Sequence, residues 1–68
     1  MVNANKLYGK IVECGMTKGS VAESLGITRK TLSDKMSKAV FNSDEIEILA
    51  DLLNINSTQE FMDIFFTN

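Results

Sequence analysis

Four hydrogen-bonding side chains, Arg29, Lys30, Ser33 and Asp34, fall within the short stretch TRKTLSDKMS. At helical spacing they project from one side, with Thr31, Leu32 and Met36 towards the other. Two cationic donors, a hydroxyl and a carboxylate acceptor suit recognition of a polar partner. They do not suit bond breaking. The chain has no His and only Cys14 as a thiol, so it offers no imidazole base, Cys-His pair or His/Cys zinc set. The carboxylates and the single Tyr form no acid-base or nucleophilic constellation, so neither an enzyme nor a metal or other cofactor is expected. Position adds an argument. Arg29 and Lys30 fall at the start of a helix, where the macrodipole disfavours cations by a few tenths of a kcal/mol or more. A sequence selected only for folding prefers acids there, so these cations point to a function. Asp34 has two readings, as an acceptor for a partner or as the i+4 ion-pair partner of Lys30.

The elements that position these groups are two short helices around a tight turn at Gly26 and Ile27, within TKGSVAESLGITRKTLSDKMS over residues 17–37. Helices crossing steeply need a small residue at the contact and a permissive one at the turn; Ala22 and Gly26 supply them. Val21, Leu25, Ile27 and Leu32 provide the apolar contacts. Thr17 caps the earlier helix, which runs to Leu25, and Thr28 caps the later one. A helix over residues 5–14 precedes them, with Leu7, Ile11 and Cys14 inward, Tyr8 and Val12 widening the stripe, and Gly15 as a stop. After a loop containing Phe41, Asn42 and Glu45 form a capping box for a fourth helix, whose inner face is Ile46, Leu49, Ala50 and Leu53 and whose stop is Asn54. Ser57 and Glu60 repeat the box at a fifth helix. No segment reads as a strand. Helices around such a turn, with a polar, basic second member, are the pattern of a helix-turn-helix DNA reader.

Charge is strongly polarised. Residues 1–42 hold all seven Lys and Arg against three acids, giving +4 (7 − 3), whereas the remainder holds six acids and no base, giving −6. Lys6 and Lys10 read as solvated helix surface, and Asp44, Glu45, Glu47 and Asp51 as a solvated acidic face. Cys14 reads as a small buried hydrophobe. The start lacks the pattern of a secretory signal and no apolar run reaches the ~18 residues of a membrane span, so a cytoplasmic protein without a membrane partner is expected. One domain over residues 1–68 is expected, without room for a small-molecule effector module. In the tail, Phe61, Met62, Ile64, Phe65 and Phe66 exceed what one face of a short helix can bury. Phe61 and Phe65 are expected to close the core near Leu7 and Leu49. Met62 and Phe66, with Phe65 beside them, are candidates for a dimer interface within a tail at residues 57–68.

The stretch TKGSVAESLGITRKTLSDKMS, together with the downstream IEILADLLNI, resembles the lambda-repressor-like helix-turn-helix family, the Cro/repressor or XRE type, and within it the small phage Cro-like regulators. The resemblance covers roughly residues 5–56. Lys18 stands where the family usually has Gln, and Lys35 where it commonly has an apolar residue, with Met36 taking over the packing role. The resemblance implies a compact, all-α, five-helix domain whose third helix enters the DNA major groove. It implies base reading by Arg29, Lys30, Ser33 and Asp34: the cations suit guanine O6 and N7, Asp34 the cytosine amino group and Ser33 either kind of edge, with the Thr31 methyl near thymine. A mixed or GC-containing half-site is expected. Phosphate contacts fall to Thr17, Lys18, Thr28, Thr31, Lys35, Lys38 and Asn42, helped by the amides at the start of the second helix. The implied function is a sequence-specific transcriptional regulator, a phage or prophage repressor binding double-stranded DNA at a palindromic operator as a homodimer. The competing reading is a protein-interaction module that uses the acidic, aromatic second half to bind another regulator, a toxin or a polymerase subunit.

Overall fold

Every helix opens on a short polar side chain that accepts from the backbone N–H three residues on. Asn3, Thr17, Thr28, Asn42 and Ser57 serve Lys6, Ser20, Thr31, Glu45 and Glu60 in turn. Each such cap stabilises its helix by about 1 kcal/mol. In the computed structural model, which describes residues 1–66, the helices are α1 (Ala4–Glu13), α2 (Lys18–Leu25), α3 (Arg29–Lys38), α4 (Ser43–Leu52) and α5 (Thr58–Phe65). No strand occurs among the described residues.

The first four helices end alike. Gly15, Gly26, Ala39 and Asn54 adopt positive φ of 72°, 72°, 57° and 58°. The next residue in each case donates its N–H back across the last turn: Met16 to Ile11, Ile27 to Ala22, Val40 to Lys35 and Ile55 to Ala50, at 3.0, 3.0, 3.1 and 2.9 Å. These are Schellman closures, which characteristically place an apolar residue just past the stop. Met16, Ile27 and Ile55 pack against the core, and Val40 is exposed. Ala39 is the one stop unannounced by Gly or Asn. Its Cβ is strained in the left-handed region, and burial of Phe41 two residues later holds the chain in that path.

The core draws on every helix. Leu7 and Ile11 come from α1, Val21 and Ala22 from α2, Leu32 and Met36 from α3, Leu49 and Leu53 from α4, Ile64 and Phe65 from α5, with Val2 and Phe41 closing it. α2 packs on α3 and on α4, and α1 packs on α5. The Asn3 N–H donates to the Ile64 carbonyl at 2.7 Å, tying the start of the chain to α5 and burying Val2, which the sequence pattern had not marked. The whole measures 29 × 23 × 20 Å, and no helix among the described residues is long and apolar enough to cross a membrane.

Several expectations are corrected. α1 begins one residue early and ends at Glu13, leaving Cys14 as its C-cap. Cys14 is exposed, with Sγ donating to the Leu53 carbonyl at 3.4 Å, because a residue past the last turn no longer follows the buried seam. Tyr8 and Val12 are also exposed, since Leu7 and Ile11 alone fill the space over α1. Lys10 is no solvated surface residue: its side chain is 13% exposed and Nζ reaches Glu60 at 3.1 Å and Glu13 at 3.4 Å. The hydrogen bond to Glu60, reinforced by the negative charge of Glu13, holds its pKa above the ordinary lysine value. Glu60, engaged there, leaves the capping box at Ser57 half formed. Phe65 is 1% exposed and belongs to the core, so it cannot serve a dimer interface, whereas Met62 and Phe66 are exposed at 47% and 52%. Residues 67 and 68 of the proposed tail lie outside the described residues.

Candidate nucleic-acid interface

The turn at Gly26 and Ile27 delivers the chain from α2 into α3 with Thr28 as cap. The Thr28 hydroxyl oxygen accepts from the Thr31 N–H at 3.1 Å and donates to Thr31 Oγ1 at 2.9 Å. Thr31 is therefore exposed, not turned inward as the sequence suggested. Only Leu32 and Met36 of α3 are fully buried, so two points of anchorage one turn apart leave most of this helix in water. Arg29, Lys30, Asp34, Ser37 and Lys38 are exposed, and Ser33 is half-buried on the flank nearer Met36. At the described residues, Arg29, Lys30, Lys38 and Asp34 make no ion pair, and the possible Lys30–Asp34 pairing is absent. Three cations and one carboxylate therefore face solvent along a helix ten residues long.

Depressions run along both sides of this ridge. One, of about 300 Å³, is lined by Thr31, Asp34, Lys35, Lys38 and Val40. The other, of about 270 Å³, joins Ser33, Met36 and Ser37 of α3 to Lys18 of α2 and to Ala4, Asn5 and Tyr8 of α1. There Lys18 Nζ sits 5.0 Å from the centroid of the Tyr8 ring, a cation-π contact that steadies the long side chain beside α3. Asn5, Tyr8 and Ser37 were missed by the sequence reading. Tyr8 looked like a core residue by its spacing, and only the packing of α1 against the rest turns it outward.

Thr17 heads α2 through a reciprocal box with Ser20. The Thr17 N–H donates to Ser20 Oγ at 3.0 Å and the Ser20 N–H to Thr17 Oγ1 at 3.1 Å. This fixes the start of α2 on the same side as Lys18. Asn42 lies further off, in the cap of α4, where its Oδ1 accepts from the Glu45 N–H at 2.9 Å.

Lys35 is the position that changes most. Its Nζ lies 3.2 Å from both carboxylate oxygens of Glu45, and Glu45 Oε1 also accepts from the Asn42 N–H at 2.9 Å. Glu45 is 9% exposed, so its assignment to a solvated acidic face is corrected. A carboxylate withdrawn from water needs such partners, and Lys35 supplies the charge. Lys35 accordingly ties the last turn of α3 to the first turn of α4 instead of standing free as a phosphate contact. Since Lys10 likewise reaches Glu60, each half of the chain yields two charges to the other: +4 becomes +2 (4 − 2) and −6 becomes −4 (−6 + 2). The polarity survives. Its positive part rests on Arg29, Lys30 and Lys38 of α3 and Lys18 beside it, with Lys6 on α1.

Among the described residues no group of acids and Cys is placed to hold a metal ion. Comparisons with protein-family models, with curated proteins and with solved structures found no match.

Proposed function

We propose that this protein is a sequence-specific, double-stranded DNA-binding transcriptional regulator of the lambda-repressor-like, Cro type, in which α2 and α3 act as a helix-turn-helix and α3 is the recognition helix. The observation that carries the reading is the row of unpaired Arg29, Lys30, Asp34 and Lys38 on a rigidly anchored, ten-residue helix. Such a helix is about 15 Å long and enters a major groove about 12 Å wide. Arg29 and Lys30 read guanine, Asp34 a cytosine amino group and Ser33 an edge at the flank. Lys18, Lys38 and the exposed hydroxyls of Thr17, Thr28 and Thr31 grip phosphates, with Asn42 a more distant contact. Lys35 acts by holding α3 in place.

Two copies pair on a palindromic operator, their α3 helices about 34 Å apart to meet successive major grooves. Of the tail residues assigned to the dimer, Met62 and Phe66 are exposed and available for contact between the copies. Occupying a site that overlaps a promoter then represses transcription. The test is selection from a random duplex pool at about 150 mM salt, where non-specific electrostatic binding is already weak. Enrichment of a two-fold site is expected. Folded protein that enriches no sequence defeats the reading.

A further inference from the structure

We infer that the groove between α4 and α5 is a docking site for an apolar, positively charged helical segment of another protein. The inference does not rest on DNA reading and concerns the opposite end of the charge distribution. Ile46 of α4, Ile55 of the following loop and Phe61 of α5 form the floor of an open cavity of about 420 Å³, and Phe66 stands at its edge. The three rings make a path out of the core. Buried Phe65 lies 5.0 Å from half-buried Phe61, which lies 5.7 Å from Phe66, still half exposed. A large aromatic side chain packed on another and left facing water is a ready anchor for an apolar partner.

The rim selects the partner. Glu47 and Asp51 line the groove and are exposed, and no Lys or Arg lines it. A second copy of this chain seated there across a two-fold axis would meet its own acids, because such an interface matches a patch with itself. Like charges set opposite one another disfavour that arrangement. The groove is also small: ten residues line it, against the roughly 20–30 on each side of a standard globular interface. A segment fits where a domain does not. A groove walled by one face of α4, from Ser43 to Asp51, with Phe61 and Phe66 across from it and Ile46 and Ile55 between, suits an amphipathic helix laid along it, its apolar face inward and its bases against the rim.

The probe is a labelled synthetic peptide of about four turns, Leu at i, i+3, i+4 and i+7 and Lys elsewhere. A counterpart has Glu in place of every Lys. Fluorescence anisotropy at about 150 mM salt is expected to show the Lys peptide binding roughly tenfold or more tightly than the Glu peptide. The double variant Glu47→Lys, Asp51→Lys should invert that preference. Phe66→Ser should weaken the Lys peptide while leaving thermal unfolding in place, and Lys30→Ala should leave peptide binding untouched even where it relaxes DNA selectivity. Equal binding of both peptides, no binding of either, or a preference that survives the charge reversal overturns the inference. So does a dimer in sedimentation that Phe66→Ser dissolves without any peptide preference, which would give the groove to a second copy.

Discussion

The exposed face of α3 and the face formed by α4 and α5 differ in whether folding accounts for their charges. Asp44 and Glu45 lie in the first turn of α4 and Glu60 in the first turn of α5. Acids there are favoured by the helix dipole, and Glu45 and Glu60 each hold a lysine as well. Stability therefore explains much of the acidic half. Arg29 and Lys30 occupy the corresponding turn of α3, where the dipole opposes them and no acid among the described residues pairs with them. A charge kept against its local electrostatics is better evidence of a partner than one that folding rewards. The apolar groups reverse this relation: α3 buries what it has in Leu32 and Met36, whereas α5 and its cap leave Met62 and Phe66 in water.

The contrast can be broken first at the end of α5. Phe65 and Phe66 are neighbours of identical chemistry, one 1% exposed and the other 52%. Phe65→Ala should cost about 3–5 kcal/mol, enough to unfold most of a domain this small, through lost burial and the cavity left behind. Phe66→Ala should stay within about 0.5 kcal/mol, as substitutions outside the core do. Urea unfolding followed by circular dichroism measures both. Similar losses from the two changes would remove the distinction between core and docking surface.

On α3 the expected effect moves from stability to binding. Lys30→Ala should leave unfolding unchanged or raise stability by a few tenths of a kcal/mol, since it removes a cation from the positive end of the helix. The same change should cost about 1–3 kcal/mol on the selected operator and relax preference at one base position. Lys38→Ala should weaken all duplexes alike and reduce the salt slope by about one phosphate. Titrations at several salt concentrations separate the two roles. If Lys38→Ala altered sequence preference and Lys30→Ala did not, the assignment along α3 would have to be reversed.

The two regions meet at Lys35 and Glu45. Glu45→Gln keeps an acceptor for the Asn42 N–H but removes the charge facing Lys35. With the lysine side chain 30% exposed, solvent screening holds the expected loss to about 1–2 kcal/mol. A double-mutant cycle with Lys35→Met isolates the pair, and a coupling near zero would return Lys35 to the list of free phosphate contacts.

How much of this was legible in the chain follows the range of the interactions. All four caps proposed, Thr17, Thr28, Asn42 and Ser57, open their helices as read, and Gly15, Gly26 and Asn54 take the left-handed stops. Each depends on a residue and its near neighbours, so spacing suffices. The cap Asn3 and the stop Ala39 escaped, the first because the reading began α1 too late. What is distant in sequence was not visible. Lys35 meets Glu45 ten residues on and Lys10 meets Glu60 fifty residues on, and although Glu13 stands three residues beyond Lys10, nothing local points to either distant partner. The same holds for Tyr8, whose outward position depends on where α5 covers α1. Candidate partner-facing residues on α3 were legible because a helix presents them by its own period. Their surroundings, the cation-π seat of Lys18 and the engagement of Lys35, depend on tertiary packing.

The smallest expected effect tests the joint between the two regions. Ala39 ends α3 at φ 57°, ψ 37°, a conformation that glycine adopts without steric cost but that a Cβ strains by roughly 1–2 kcal/mol. Glycine also gives the unfolded chain more freedom, so Ala39→Gly should recover only part of this, about 0.5–1 kcal/mol, as a higher urea midpoint at unchanged slope. The control is Gly26→Ala, which places a Cβ in the same region at the turn into α3. No neighbouring atom lies within 4 Å of that Cβ, so no clash adds to the backbone strain, the same unfolded-chain term offsets part of it, and stability should fall by a comparable amount. Opposite signs from the two exchanges would establish that α3 is bounded at both ends by left-handed stops, one matched to its residue and one not. Equal signs would mean that Ala39 is not held in this conformation, and that the loop joining the basic helix to the acidic one is set in some other way.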